Sequence, residues 1–151
     1  MTKFKVFIIL VLIASFSSCK KEFQKKIINT TETEEISLLD TLTLKLNNGE
    51  KWIVNNATQI GIVKMDSVIS SFNSNKENSF VELGQNLSKQ TSFIIKSCDM
   101  TGEAHDQLHV LLVPMLDEIS ILKESENPKE CKSAVSELES LIEAYFNHFK
   151  N

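Results

Sequence analysis

The sequence predicts an all-α protein, an antiparallel up-down four-helix bundle with a small β-hairpin before the first helix. Three observations lead to this prediction. After residue 55, four segments repeat apolar residues at alternating steps of three and four, which is the spacing of one helical face. Polar links of a few residues join these segments, which favours antiparallel neighbours. The 151 residues, 42% hydrophobic and 24% charged, have the composition of one ordinary globular domain.

Residues 1–18 have the pattern of a bacterial lipoprotein signal peptide. Lys3 and Lys5 precede a short apolar run at residues 6–14, well below the roughly 20 residues needed to span a bilayer. Two serines then lead to Cys19, and this junction resembles a lipobox, in which cleavage leaves the cysteine as the lipidated first residue. We therefore expect lipidation at Cys19. An ordinary secretory signal followed by a chance cysteine is the alternative.

The expected location is the bacterial cell envelope, where the lipid on Cys19 would anchor the protein to a membrane. The outer membrane, at its periplasmic or surface face, is the membrane we expect. Residues 19–37 are polar, rich in Lys, Glu and Thr, and lack a sustained apolar period, so they predict a flexible tether. Residues 38–151 then form the helical-bundle domain.

A β-hairpin is expected at about residues 41–54. Residues 42–46 alternate apolar and polar side chains, and a second apolar run contains Trp52. The Asn-Gly dipeptide between the two runs is a strong signal for a two-residue hairpin turn. Because an isolated hairpin is only marginally stable in water, we expect Trp52 to pack it onto the helices.

Helices are expected at about residues 56–73, 76–97, 102–124 and 128–150. The fourth has the clearest start, with Asn127 as N-cap, Pro128 at the first helical position and Glu130 three residues after the cap. In the third, Pro114 removes one backbone hydrogen bond and predicts a kink. The apolar faces expected to form the core are Ile62, Met65, Ile69 and Phe72; Phe80, Leu83, Leu87, Ile94 and Cys98; His105, Leu108, Leu112, Met115, Ile119 and Leu122; and Cys131, Val135, Leu138, Ile142, Tyr145 and Phe149.

Composition and motifs exclude several classes of function. The chain has 16 basic against 20 acidic residues, a net charge of −4, and every basic residue is lysine. Since arginine makes the best contacts to phosphates and base edges, nucleic-acid binding is not expected. No nucleotide-binding loop, catalytic triad motif or haem-attachment motif is present, and Asp117 and Glu118 are expected on an outer helix face. We therefore expect no enzymatic activity.

One short stretch combines side chains that ligate metals. His105 and His109 are four residues apart, so on a helix both imidazoles project from one face and can reach one ion. Cys98 and Met100 add soft sulfur, which suits copper, while imidazole also suits zinc and nickel. In an up-down bundle, the end of the fourth helix brings His148 to the same end. These five residues are the candidate ligands of a copper, zinc or nickel ion.

Packing alone also accounts for these residues. His105 completes the apolar face of the third helix, and Cys98 can serve as a small buried apolar residue. In an oxidising compartment, Cys131 is a candidate to form a disulfide with Cys98. A straight third helix would separate these two cysteines by about 34 Å, against a limit of ~7 Å between the Cα atoms of a bridged pair. A disulfide is therefore not expected, unless the chain folds back at Pro114.

Residues 46–52 (Leu-Asn-Asn-Gly-Glu-Lys-Trp), followed by Asn55 and Thr58, and residues 98–109 (Cys-x-Met-x-Gly-x-Ala-His-Asp-Gln-Leu-His) resemble a group of small lipoproteins from Bacteroidetes-type bacteria. The resemblance covers most of the mature domain and implies secretion and a helical fold. The group has no established activity, so the resemblance implies no catalytic residue. A looser resemblance, of architecture alone, is to periplasmic helical metal sensors that use His, Met and Glu near helix ends.

Two functions remain open on the sequence. In one, a lipid-anchored envelope protein binds a copper-like ion at one end of the bundle, as a buffer, sensor or carrier. In the other, a structural or protein-interaction lipoprotein holds no metal and docks on another envelope protein through its hairpin or a helix face.

Overall fold

The computed structural model describes residues 42–74 and 79–151. In this part of the chain the order of elements is β1 (Trp52–Ile53), α1 (Asn56–Ser74), α2 (Phe80–Ser97), α3 (Glu103–Glu124), α4 (Pro128–His148) and β2 (Phe149–Lys150). The predicted signal peptide, Cys19, the tether and the predicted start of the second helix at residue 76 lie outside the described residues.

The four helices pack in sequence order. Each consecutive pair is in extensive contact, while α1 and α4 touch less extensively. Phe72 near the end of α1 lies against Phe80 at the start of α2, with ring centroids 5.3 Å apart. Asn55, just before α1, donates a hydrogen bond of 2.8 Å to the carbonyl of Ser97 at the end of α2. These contacts confirm the predicted antiparallel four-helix bundle.

The predicted apolar faces form the core. Every residue predicted for the core is buried except four near helix ends, Phe72, Phe80, Cys98 and His105, which are half-buried. Burial of a large apolar side chain contributes about 1.5–3 kcal/mol, so these faces are the main source of stability. None of the described helices is both long and apolar enough to cross a bilayer.

Two helical glycines allow the helices to approach closely. A Cβ atom on Gly84 of α2 would lie 2.7 Å from Cγ of Lys123 and 3.0 Å from Cβ of Leu122, both on α3. A Cβ atom on Gly61 of α1 would overlap the side chain of Ile94 on α2. Glycine costs about 1 kcal/mol relative to alanine within a helix, and close packing on both sides of α2 offsets that cost.

The starts of α2 and α4 have side-chain caps. The Asn127 side chain accepts a hydrogen bond of 3.0 Å from the N–H of Lys129, and Pro128 occupies the first turn of α4, so the predicted start is confirmed. Ser79 caps α2 by accepting the N–H of Glu82. α3 continues without interruption through Pro114.

The predicted hairpin turn forms, but the strand after it, β1, does not pair with the segment before it. Asn47 and Glu50 exchange two backbone hydrogen bonds, of 2.8 and 2.9 Å. Between them Asn48 and Gly49 have φ angles of 51° and 91°, as in the type I′ turn that Asn-Gly favours. Beyond this one antiparallel bridge, β1 pairs in parallel with β2 and not with residues 42–46.

The prediction that the fourth helix extends to about residue 150 is wrong for residues 149 and 150. α4 ends at His148, and Phe149 is extended (φ −129°, ψ 152°) with its N–H bonded to the Tyr145 carbonyl. The Phe149 ring stacks on Tyr145 at a centroid distance of 5.1 Å, and Phe149 is the strand partner of Trp52. Burial of Phe149 with these two side chains outweighs continuation of the helix.

One carboxyl group is buried in the bundle, contrary to its expected outer position. Glu118 on α3 is only 8% exposed. Burial raises its pKa above the ordinary value, and the negative charges of Glu137 and Asp117 raise that pKa further. The apolar residues on either side of Glu118 set the rotation of α3, so its carboxyl group is carried inward.

Replacement of Glu118 with Gln is expected to stabilise the fold at neutral pH. A carboxyl group with a raised folded-state pKa binds protons more tightly in the folded state, so stability falls as pH rises from the unfolded pKa through the folded pKa. Glutamine does not ionise, so the variant does not lose this stability at neutral pH. The difference in free energy of unfolding between variant and wild type should shrink towards about pH 4, where carboxyl groups begin to protonate. Urea unfolding at both pH values measures the effect, with the exposed Glu126→Gln as control. An equal or lower free energy of unfolding for Glu118→Gln at pH 7 would contradict this account.

Candidate metal site at the α2–α3 link

Residues 98–102 link α2 to α3 and set the geometry of the candidate site. Cys98 ends α2 in an extended conformation (φ −75°, ψ 117°). Gly102 precedes α3 with φ 72° and ψ −157°, a combination essentially confined to glycine. Its carbonyl accepts hydrogen bonds from the N–H groups of His105 (3.0 Å) and Asp106 (3.1 Å). The first turn of α3 is therefore fixed beside the end of α2.

Cys98, His105 and His109 lie side by side at this end of the bundle, and we term them the link cluster. The Sγ atom of Cys98 is 3.6 Å from Nδ1 of His105. The rings of His105 and His109 are 4.4 Å apart between centroids and inclined at 49°. Cys98 and His105 are half-buried and His109 is exposed, so solvent reaches the cluster from the His109 side.

The link cluster offers one sulfur and two imidazole rings. A thiolate prefers soft ions such as Cu(I), and imidazole binds copper, zinc and nickel. Within residues 42–74 and 79–151, no group of three or more His, Cys, Asp or Glu side chains is placed to hold a metal ion. The cluster thus presents a pair of donors, Cys98 and His105. His109 would have to turn from its position beside the His105 ring to bring a nitrogen to the same ion.

The other two candidate ligands have different surroundings. Met100 lies on the same link but is half-buried and packs against the hydrophobic core. His148 is at the same end of the bundle, where its Nδ1 atom lies 2.8 Å from the Ala144 carbonyl. It lines a groove of about 400 Å³ together with residues of α4, Leu42 and Leu44. His148 therefore lies against α4 and the segment before β1.

The two cysteines of the described domain are free, Cys98 half-buried and Cys131 buried. They flank opposite ends of α3, whose 22 residues span about 33 Å at 1.5 Å per residue. Cys131 contacts the Ser125 carbonyl at 3.6 Å in the α3–α4 turn. The predicted separation of the two cysteines by the length of α3 is confirmed. The polar neighbour of the Cys98 sulfur is His105.

Asn55 fastens the link to the start of α1. Its Nδ2 atom donates to the Ser97 carbonyl (2.8 Å) and to Oδ1 of Asp99 (2.7 Å), the two residues on either side of Cys98. Its Oδ1 atom accepts the N–H of Thr58 at 2.9 Å, which caps α1. An Asn directly before a helical run is a recognisable N-cap. Its bonds to residues more than 40 positions away have no local sequence signal.

The charges around the link are mixed. The first turn of α3 carries Glu103 and Asp106, which is favourable because the N-terminus of a helix has partial positive charge. That same partial charge opposes a cation. The acidic side chains and a deprotonated Cys98 would compensate for it, so an ion bound here would need such anionic groups.

Comparison with protein-family models, curated proteins and solved structures finds no match to this chain.

Replacement of Asn55 with Ala is expected to lower the free energy of unfolding by about 1–3 kcal/mol, because the helix cap and the Ser97 carbonyl both lose a partner. It should also speed alkylation of Cys98, because the residues on either side are no longer fastened. Site-resolved mass spectrometry of the alkylated protein measures this rate, with the buried Cys131 as internal reference.

The variant Asn55→Asp separates the two roles of this side chain. A carboxylate still accepts the helix-cap hydrogen bond but cannot donate to Ser97, and it would lie next to Asp99. We expect part of the stability to return while Cys98 remains fast to react. If Cys98 reacts at the wild-type rate in both variants, Asn55 does not hold the link.

Proposed function

We propose that this chain is a lipid-anchored protein of the bacterial cell envelope whose helical domain binds a soft transition-metal ion, with Cu(I) as the preferred ion. Cys98 and His105 would be the first two ligands and His109 the third. The observation that carries the proposal is the 3.6 Å approach of the Cys98 sulfur to Nδ1 of His105, with the His109 imidazole 4.4 Å from the His105 ring between centroids.

The state of Cys98 supports a role in ligation. In an oxidising compartment, cysteines are usually paired in disulfides. Cys98 and Cys131 are both free and flank opposite ends of α3, so neither can serve as the partner of the other. A thiol kept unpaired beside an imidazole is suited to bind a metal as the thiolate.

The envelope location is supported by the pattern of residues 1–18 and by Cys19 directly after it. A lipid on Cys19 would provide the membrane attachment. In this setting the proposed role is to buffer, sense or carry an ion, and no catalytic step is assigned to any residue.

Metal titration of the mature chain tests the ligand assignment. Wild-type protein under reducing conditions is expected to bind one Cu(I). Cys98→Ser and the double variant His105→Ala/His109→Ala should each bind it more weakly by more than the roughly 10–100-fold typical of residues that only orient a ligand. Affinity should also fall as pH is lowered, because protons compete for the same donor atoms.

His148→Ala is the matched control, since it removes a histidine at the same end of the bundle whose contacts lie elsewhere. It should bind copper as the wild type does. Competition with a calibrated Cu(I) chelator gives the affinities, and elemental analysis gives the stoichiometry. Equal binding by wild type and the double histidine variant would refute the site. Retention of an envelope protein partner without any metal would then favour the structural or interaction lipoprotein.

A further inference from the structure

A shallow groove on the outer side of α2 gathers lysines around an exposed aromatic ring. We term it the α2 groove; it has a volume of about 670 Å³, and its lining residues are Gln85, Ser88, Lys89, Ser92, Phe93, Lys96 and Lys123. A further lysine, Lys64 on α1, places its Nζ atom 5.7 Å from the centre of the Phe93 ring. Three helices thus contribute positive charge to one face.

No carboxylate lines the α2 groove beside these positive charges. Among the described residues, none of Lys64, Lys89, Lys96 and Lys123 is in an ion pair. Lys89 donates one hydrogen bond, to Oδ1 of Asn86. The chain as a whole is acidic, with a net charge of −4, so a face with four unpaired lysines is a marked local reversal of charge.

Apolar side chains accompany the lysines on this face. Phe93 at the centre of the α2 groove is 39% exposed, and Ile60, one helical turn before Lys64, is 37% exposed. Aromatic rings flanked by lysines are favoured at the interface between lipid headgroups and acyl chains, where the ring meets the apolar region and the amines meet phosphates.

We propose that the α2 groove docks on the surface of an anionic phospholipid bilayer. Its lysines would contact headgroup phosphates, and Phe93 would insert at the level of the glycerol backbone. The groove is open and extends along three turns of α2, which suits an extended charged surface. α4, which carries the control lysines Lys129 and Lys132, would lie away from the lipid, because α2 packs between α1 and α3. The proposal rests on the membrane location proposed above, and not on the link cluster binding a metal.

Lysine footprinting on the full chain tests this orientation. The protein is reconstituted into lipid nanodiscs of phosphatidylcholine alone or of phosphatidylcholine with phosphatidylglycerol, and the acetylation rate of each lysine is measured by mass spectrometry. We expect Lys64, Lys89 and Lys96 to react more slowly on the anionic discs, and Lys129 and Lys132 to react equally on both. The difference should vanish in about 1 M salt, where the Debye length is about 3 Å.

Two triple variants of equal net charge test whether docking depends on the groove lysines or on the net charge of the protein. In Lys89→Gln/Lys96→Gln/Lys123→Gln, docking should weaken by about a hundredfold, reported by loss of protection at Lys64. The control Lys45→Gln/Lys129→Gln/Lys132→Gln has the same net charge and should keep Lys64 protected. Circular dichroism verifies that both variants remain helical.

Two outcomes would overturn the proposal. One is equal acetylation of the groove lysines on both kinds of disc. The other is protection on phosphatidylcholine discs when soluble glycerol phosphate is added, because the α2 groove would then hold a soluble anion and not a membrane surface.

Discussion

The bundle is closed by the pairing of β1 with β2. α1 and α4 touch less extensively than the other neighbouring helices, and the parallel pairing of Trp52 with Phe149 completes the contact between them. The indole N–H of Trp52 donates to the Lys45 carbonyl at 2.6 Å, and the Tyr145 hydroxyl donates to Gln59 at 2.9 Å. Tyr145 is fully buried, and burial raises the pKa of its hydroxyl. The hydroxyl therefore stays protonated and keeps its role as a donor.

This closure also determines where the link cluster lies. The N–H of Val54, directly after β1, donates to the Lys150 carbonyl at 2.9 Å, and the next residue is Asn55. Asn55 in turn holds the residues on either side of Cys98. The Val54–Lys150 hydrogen bond, the peptide bond from Val54 to Asn55 and the hydrogen bonds of Asn55 therefore connect β2 to the link. The position of the Cys98 sulfur beside His105 depends on contacts made by residues more than 40 positions away in sequence.

The predictable features were those with a local cause. Helix spacing, the Asn127 cap and the Asn-Gly turn each depend on a few consecutive residues, and the four-residue step from His105 to His109 placed both on one face. The partner of β1 was not predictable, because two-residue strands have no periodicity and parallel pairing with Phe149 competes with one more helical turn. The bonds of Asn55 and the burial of Glu118 depend on how whole helices pack. Single-residue patterns do not specify these contacts.

We expect closure of the bundle and attachment of the link to be energetically coupled through Asn55. A double-mutant cycle in the free energy of unfolding, with Asn55→Ala and Phe149→Ala, measures this coupling directly. Phe149→Ala alone should cost about 3–5 kcal/mol as a buried aromatic truncation. Because loss of β2 already loosens the start of α1, the double variant should lose less stability than the sum of the single variants, by at least about 0.5 kcal/mol. If the stability losses of the two single variants add to within about 0.3 kcal/mol, as found for independent sites, closure and attachment of the link are not coupled.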